Sequence, residues 1–401
     1  MKKIELLSPA GNYEKLEMVF KYGADAAYLG GKSFGLRTFA GNFNDSELEN
    51  AVNYAHSLGK KIYTTLNIIA HNDDLERLPE YVKYLEKIGV DAVIVADLGI
   101  FNIVRTYSDL KINVSTQASN TNWASVKMWK DLGASRIILA RELSLDEIKE
   151  IRNKVPDAEL EVFVHGAMCM SISGRCLLSN YLTGRDANRG ACTQPCRWKY
   201  SLVEEKRPGE HFPIEQDENY TYIMNSKDLC TIEFIDKIIE TGIDSIKIEG
   251  RMKGIYYGAV VTKIYREALE KYYSGNFKYD PYWKEELFST SNRNFTSGFY
   301  YHKPDADDHN YETSSYTSTH NFVGKVIKVS GKTKIIEIRN QVNPGDTLEI
   351  IKPKGNPAEF IMPEMINYKD KSPIITANPN HIVQIETDSD MDCLDMLRKK
   401  I

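Results

Sequence analysis

The chain has no apolar run long enough to span a bilayer, and its opening residues, MKKIELLSPAGNYEKL, carry three lysines without the hydrophobic stretch of a secretion signal. No membrane partner and a cytoplasmic location are therefore expected. Neither sign of charge dominates. The formal net charge is −5 at pH 7 over 401 residues, so there is no global pull towards nucleic acid or anionic membrane, and any nucleic-acid contact must come from a local patch. An HExxH zinc-protease motif, a G-x-S-x-G elbow and a phosphate-cradling Walker loop are all missing. Cysteine is scarce, with six in the chain, and in a reducing compartment so few thiols do not make a disulfide framework.

What is present is a globular composition, 42% hydrophobic and 27% charged, in a chain longer than one core usually supports. A large domain with a smaller one is the expectation. From residue 4 to about residue 250, short apolar strands alternate with amphipathic segments. The strand candidates are Ile4–Leu7, Ala26–Leu29, Lys61–Asn67, Ala92–Ala96, Lys111–Thr116, Ser135–Leu139, Glu159–His165 and Ser245–Ile248. Several intervening segments end in Gly, which accepts the left-handed conformation that stops a helix. Eight strands with helices between them predict an α/β fold, a TIM-type (β/α)₈ barrel over residues 1–275, with a doubly wound open sheet as the alternative. Residues 276–320 read as a linker or irregular segment. Residues 321–390 show short alternating strands punctuated by Gly and Pro, the pattern of a small antiparallel β-barrel.

The thiols are clustered. Cys169, Cys176, Cys192 and Cys196 fall in the stretch of about 165–200 that follows the seventh strand, and Cys230 lies close behind. Loops of this length are usually functional or disordered. Four thiolates from one loop can hold a [4Fe–4S] cluster or a tetrahedral zinc, and simple burial of the thiols is the third possibility. Cys230, read as lying near a helix N-terminus with Asn225 or Ser226 as cap, is an alternative fourth ligand.

Polar residues stand just past the predicted strands, where such barrels carry their active sites. Among them are Asn67, Asp97, Gln117 to Asn120, Arg141-Glu142, His165 and Glu249-Gly250-Arg251. His165 suits a general acid or base, and Glu249 and Arg251 offer a carboxylate and a guanidinium around a Gly. Basic and aromatic residues interleave in and after the cysteine loop: Arg175, Arg185, Arg189, Arg197 and Lys199 with Tyr181, Trp198 and Tyr200, then Lys247, Arg251 and Lys253 with Tyr256 and Tyr257. Guanidinium groups bind phosphate or carboxylate and aromatic rings stack on unpaired bases, so these form a candidate RNA surface; a solvated face with salt bridges to Asp186, Glu204 and Glu249 is the bland alternative.

At these residues the sequence resembles a family. ELLSPAGNYEKL, GADAAYLGGKSFGLR, VSTQASNTN, HGAMCMSISGRCLLSNYLTGRDANRGACTQPCRWKY and SIKIEGRMK look like the collagenase-like unassigned peptidases, peptidase family thirty-two of that class. The resemblance runs from Ile4 to about Tyr273, and the small C-terminal barrel occurs in longer members. It implies an O₂-independent RNA hydroxylase, most similar to members that convert the tRNA wobble uridine, in the anticodon region, to 5-hydroxyuridine with prephenate as co-substrate. It also implies a [4Fe–4S] cluster on Cys169, Cys176, Cys192 and Cys196, with zinc as the alternative metal. Arg141, Arg175 and Arg251 are the candidates for the carboxylates of prephenate; Asn67, Gln117 and Arg197 complete the candidate substrate-binding set. A collagenase-type peptidase and an RNA-binding protein with a structural metal are the competing functions.

Overall fold

The computed structural model describes residues 3–31, 42–169, 171–198, 201–202, 212–213, 226–304, 308 and 316–401. Eight parallel strands close on themselves: β1 (Glu5–Pro9), β2 (Ala26–Leu29), β3 (Lys61–Leu66), β4 (Ala92–Val95), β5 (Ile112–Val114), β6 (Arg136–Ile138), β7 (Leu160–Ala167) and β9 (Ser245–Ile248), the last pairing with both β1 and β7. This is the TIM-type barrel that the strand pattern predicts. The strands read as near-continuous apolar runs because helices cover their outer faces. Helix starts follow local chemistry: Asn44 caps Asp45–Ser57 and Ser144 caps Leu145–Lys154, each in a reciprocal box with a Glu three residues on.

Inside the barrel, polar residues replace the usual branched aliphatics. Arg136 reaches Glu5 at 2.6 Å and Glu161 at 3.0 Å, and Lys247 lies 3.3 Å from Glu161 and over the Tyr28 ring. Lys247 is thus an interior cation and not part of a surface patch, since its position on β9 points it into the barrel. Tyr256 and Tyr257 are likewise buried, on the long helix α8 (Ile255–Tyr273) that packs against β1.

The sequence reading fails between 226 and 235. Asp228–Cys230, expected in the first turn of a helix, is a strand, β8, running antiparallel to the end of β7 with Cys230 opposite His165. Helix α7 begins only at Ile235 (Ile235–Glu240). The unpaired edge that β7 presents beyond the barrel rim captures this segment and overrides its helix-like start. Asn225, the other proposed cap, lies outside the described residues. The stretch 276–320, expected to be irregular, contains helix α9 (Pro281–Phe288) and strand β10 (Phe295–Thr296), which pairs with β8 and extends the barrel sheet.

The C-terminal domain is an eight-stranded antiparallel sheet from His320 to Lys400, so it runs past the expected end at 390. Its core gathers Val326, Ile336, Leu348, Phe360 and Val383. It is bolted to the barrel by Arg398, which is 2% exposed and pairs with Glu286 at 2.7 and 2.9 Å and with the Tyr256 hydroxyl at 3.0 Å. Arg398→Met would leave the Glu286 carboxylate buried without its partner. The expected cost is about 3 kcal/mol, read as a lower denaturation midpoint, and an unchanged midpoint would show that the junction contributes nothing.

Candidate active site at the barrel mouth

The cysteine loop leaves β7 at the C-terminal end of the barrel and is stapled across the mouth. Arg175 donates from Nε to the Gln117 carbonyl at 2.6 Å, and the Ser173 amide donates to Glu142 at 2.8 Å. Asn188 accepts from the Ile69 amide through its carbonyl and from the Cys176 amide through its side chain. Arg189 grips Asp74 bidentately at 2.6 and 2.8 Å, which holds the Asp74 carboxyl down at about 2. The loops after β3, β5 and β6 are therefore all tied to the thiol segment.

Cys169, Cys176, Cys192 and Cys196 lie within electrostatic range of one another: each of the other three thiols raises the pKa of Cys196, and Cys176 and Cys192 raise that of Cys169. Burial of the sulfur is the largest cause in both; it lifts Cys196 to about 11 against the lowering field of Arg197, and acts on the Cys169 sulfur although that residue as a whole is exposed. The amides of Leu178 and Gln194 donate to the sulfurs of Cys176 and Cys192 at 3.3 Å, and that of Ser171 serves Cys169. An N–H donated from two residues ahead stabilises a thiolate and is what a metal–thiolate loop needs. The donor set fits an iron–sulfur cluster or zinc, although among the described residues no three Cys, His, Asp or Glu side chains converge closely enough to grip an ion.

Cys230 stands apart. Burial pushes its thiol up to about 12, its partners are the Ile232 amide and the Tyr265 hydroxyl, and the charges that act on it are Lys284 and Glu233, not the loop thiols. His165 is not at the mouth either. Its ring is buried against Tyr257, Tyr265 and Phe295, with centroids at 5.4–5.8 Å, behind a register shift that turns the end of β7 towards α8. Burial, with Lys253 adding to it, lowers its pKa to about 3, so the ring is neutral and enclosed, unlike the general acid or base expected from sequence.

The other predicted residues do gather. Arg141 lies 3.5 Å from Glu249, stacks on Phe163 and donates to the Ala167 carbonyl. Asn67 donates to the Gln117 side chain at 2.7 Å, and Arg251 to Thr65 at 2.8 Å. Arg197 holds Gln194 at 2.9 Å beside Cys196. Asp97 instead caps the helix Leu98–Tyr107. Around this ring the Asn120 amide, Glu142 Oε2 and Ser173 Oγ are buried with no hydrogen-bond partner among the described residues, which marks a place for a ligand or ordered water. Tyr181 is 87% exposed and Trp198 47%, and Arg185, a few residues past Tyr181 in the chain, is exposed as well. Lys199, Tyr200 and Glu204 lie outside the described residues.

Sequence reasoning missed Asp228 and Arg293. Both are buried, 3.5 Å apart, and Lys253 and Tyr316 close over them. The signal in the sequence is an Arg within FSTSNRNFTSGFY, in a segment that reads as linker.

Gly166 holds the rim together. Its φ is +111°, and a Cβ there would meet the Glu249 carbonyl oxygen and sit 2.9 Å from the Glu249 Cβ. Gly166→Ala should cost about 2–3 kcal/mol and push Glu249 off Arg141; thermal melting checks the first.

Comparisons with known proteins agree with this architecture. Residues 11–310 match the model of peptidase family U32, and residues 318–398 that of the peptidase family U32 C-terminal domain. The chain is 38% identical to tRNA hydroxylation protein P of Escherichia coli, over 98% of this chain and 95% of that protein. It is 31% identical to a collagenase of Porphyromonas gingivalis, over 87% and 86% of the two chains. To the 23S rRNA 5-hydroxycytidine C2501 synthase of Escherichia coli it is 38% identical over 67% of this chain and 39% of that one. By its matched residues and the span of these relatives, the chain belongs to peptidase family U32.

Proposed function

We propose that the chain is an RNA hydroxylase that forms 5-hydroxyuridine at the tRNA wobble uridine, without O₂, using prephenate and a [4Fe–4S] cluster on Cys169, Cys176, Cys192 and Cys196. The observation that carries it is the four-thiol loop, with amides donating to its sulfurs, fastened over the mouth of the barrel. Relatives whose names specify hydroxylation of tRNA and rRNA support the choice of RNA over peptide.

A bound cluster would supply redox or Lewis-acid chemistry, which adding oxygen to a uracil ring without O₂ requires. The protein's own residues do the rest. Tyr181 and Trp198 offer exposed rings for stacking of unpaired bases, with the exposed Arg185 as a cation for a phosphate. The Asn67–Gln117 amide pair and the buried Asn120 amide present donors and acceptors of the kind that read a base edge. Arg141 and Glu249 hold each other at the rim, fixing a cation beside the loop.

Nucleoside mass spectrometry of tRNA from a deletion strain tests the proposal: 5-hydroxyuridine should vanish. Its persistence at the normal level, with no redundant paralogue present, sinks the tRNA assignment. The collagenase relative gives a second reading its observation. Gelatin cleavage by pure, cluster-loaded protein, lost on substitution of a rim residue, would favour it.

A further inference from the structure

The C-terminal domain takes no part in the chemistry above, yet its contacts set one of its faces on the rim of the barrel mouth. The domain lies along the first helix of the barrel, Tyr13–Lys21. At the foot of that helix the Tyr22 hydroxyl donates to the Ile351 carbonyl at 2.7 Å, at the end of the strand Thr347–Ile351. The head of the helix follows β1 and so stands at the mouth. There Glu14 pairs at 2.5 Å with Lys325, on the strand His320–Ser330, and with Arg339, just past the strand Thr333–Ile338. The sheet order runs from the strand at the foot to those at the head, and then on to Ile382–Glu386 and Met365–Asn367. At the usual strand spacing these last two carry the sheet about 10 Å past the head of the helix.

Register fixes which side chains this extension presents. Lys325 lies opposite Glu337, Glu337 opposite Ile382, and the Tyr368 amide donates to the Ile382 carbonyl at 3.0 Å, so the four form one row on one face of the sheet. In the next row of that face Lys328 lies opposite Ile335, and Ile335 opposite Gln384. Tyr368 is 39% exposed and Ile382 40%. Lys371 returns from the turn 368–372, places Nζ 4.7 Å over the Tyr368 ring and donates to Gln384 at 2.8 Å. Lys328 and Lys369 stand exposed. The carboxylates nearby are turned to local partners: Glu337 to Lys325 and Arg339, Asp370 to Ser372, Glu386 to Thr333.

We propose that this face, through Lys328, Lys369, Lys371 and Tyr368, binds the helical stem of the RNA whose unpaired base enters the barrel mouth; RNA as the occupant rests on the proposed function. A stem leading away from a base held at the mouth has to cross the rim. An A-form stem offers phosphates and 2′-hydroxyls in place of readable base edges, so exposed lysines suit it and the contact is independent of sequence. Two observations favour RNA over a protein partner: the lysines that flank the exposed ring, and the continuity of the face with the mouth that carries Tyr181 and Trp198.

The test is a gel-shift titration of the anaerobically prepared full-length protein at several salt concentrations. Its three probes are tRNA, a single-stranded oligonucleotide of the anticodon-loop sequence, and an RNA hairpin of unrelated sequence. The double variant Lys369→Gln with Lys371→Gln changes an exposed turn and leaves the core alone. It should bind tRNA at least about tenfold more weakly and lower the salt slope by about 2, one for each phosphate contact removed. Iron content and affinity for the single strand should not change. Equal tRNA affinity in wild type and variant overturns the surface and leaves the proposed function standing; a shift from dimer to monomer on sedimentation of the variant would then give the face to a second copy of the chain. Equal losses on tRNA and on the single strand also overturn it, since the lysines would then serve the unpaired base. If wild type holds the unrelated hairpin as tightly as tRNA and the variant loses both, the surface stands and the tRNA assignment falls. A wild type that binds none of the three overturns both.

Discussion

Cys196→Ala purified anaerobically is expected to lack iron and sulfide, whereas Cys230→Ala keeps both. On sequence Cys196 is the expected fourth ligand and Cys230 the alternative, and their surroundings separate them. Cys196 lies within electrostatic range of the other three loop thiols and of Arg197, whose charge favours the thiolate that a metal requires. Cys230 is walled into the barrel flank between β7 and α8, where the Tyr265 hydroxyl donates to its sulfur. Bringing it to the loop would mean unpairing β8 from the end of β7. Activity on tRNA should fall at least about a hundredfold in Cys196→Ala, beyond what losing a mere supporting residue of a metal site costs. Iron retained in Cys196→Ala but lost in Cys230→Ala would reverse the assignment. Stoichiometric zinc in the wild type, with no sulfide, would replace the cluster by a structural metal.

Periodicity carries the barrel well because each of its strands is short, apolar and followed by an amphipathic helix, so local pattern and tertiary role agree. It carries β8 badly. Asp228–Cys230 is only three residues long, has no alternation, and is fixed as a strand by a partner some sixty residues earlier in the chain. The same limit explains Lys247. A lysine at the end of an apolar strand reads as a surface charge, and only the barrel's closure reveals Glu161 waiting inside. Position past a strand end picks out Arg141 with Glu249 and Asn67 with Gln117, pairs that the structure brings into contact, yet it also picks out His165, because a one-residue register shift between β7 and β9 cannot be seen in sequence. Arg293 was illegible for a different reason: its partners come from β8 and from the turn after β9, which no spacing rule connects to it.

The misplaced histidine makes its own prediction, with a large effect at low pH. His165 is held neutral by its aromatic cage and by Lys253; Tyr257, Tyr265 and Phe295 offer it no carboxylate, and the Tyr265 hydroxyl at 3.5 Å is its polar neighbour. Its folded pKa of about 3 lies below the unfolded value near 6.5, so the unfolded chain binds a proton that the native protein refuses. Stability from this group is complete above pH ~6.5 and drains away as pH falls towards ~3, amounting to about 4–5 kcal/mol over the whole window. His165→Phe keeps a ring in the cage and removes the titration. The variant's own packing cost is the same at every pH, so the informative quantity is the slope. Between pH 7 and pH 4.5 the urea-derived stability of the wild type should drop by about 3 kcal/mol more than that of His165→Phe. Parallel slopes would mean that the ring is protonated in the native protein, and so that the cage opens to water or to a carboxylate. A ring that titrates there would be restored as a candidate acid for the chemistry at the barrel mouth.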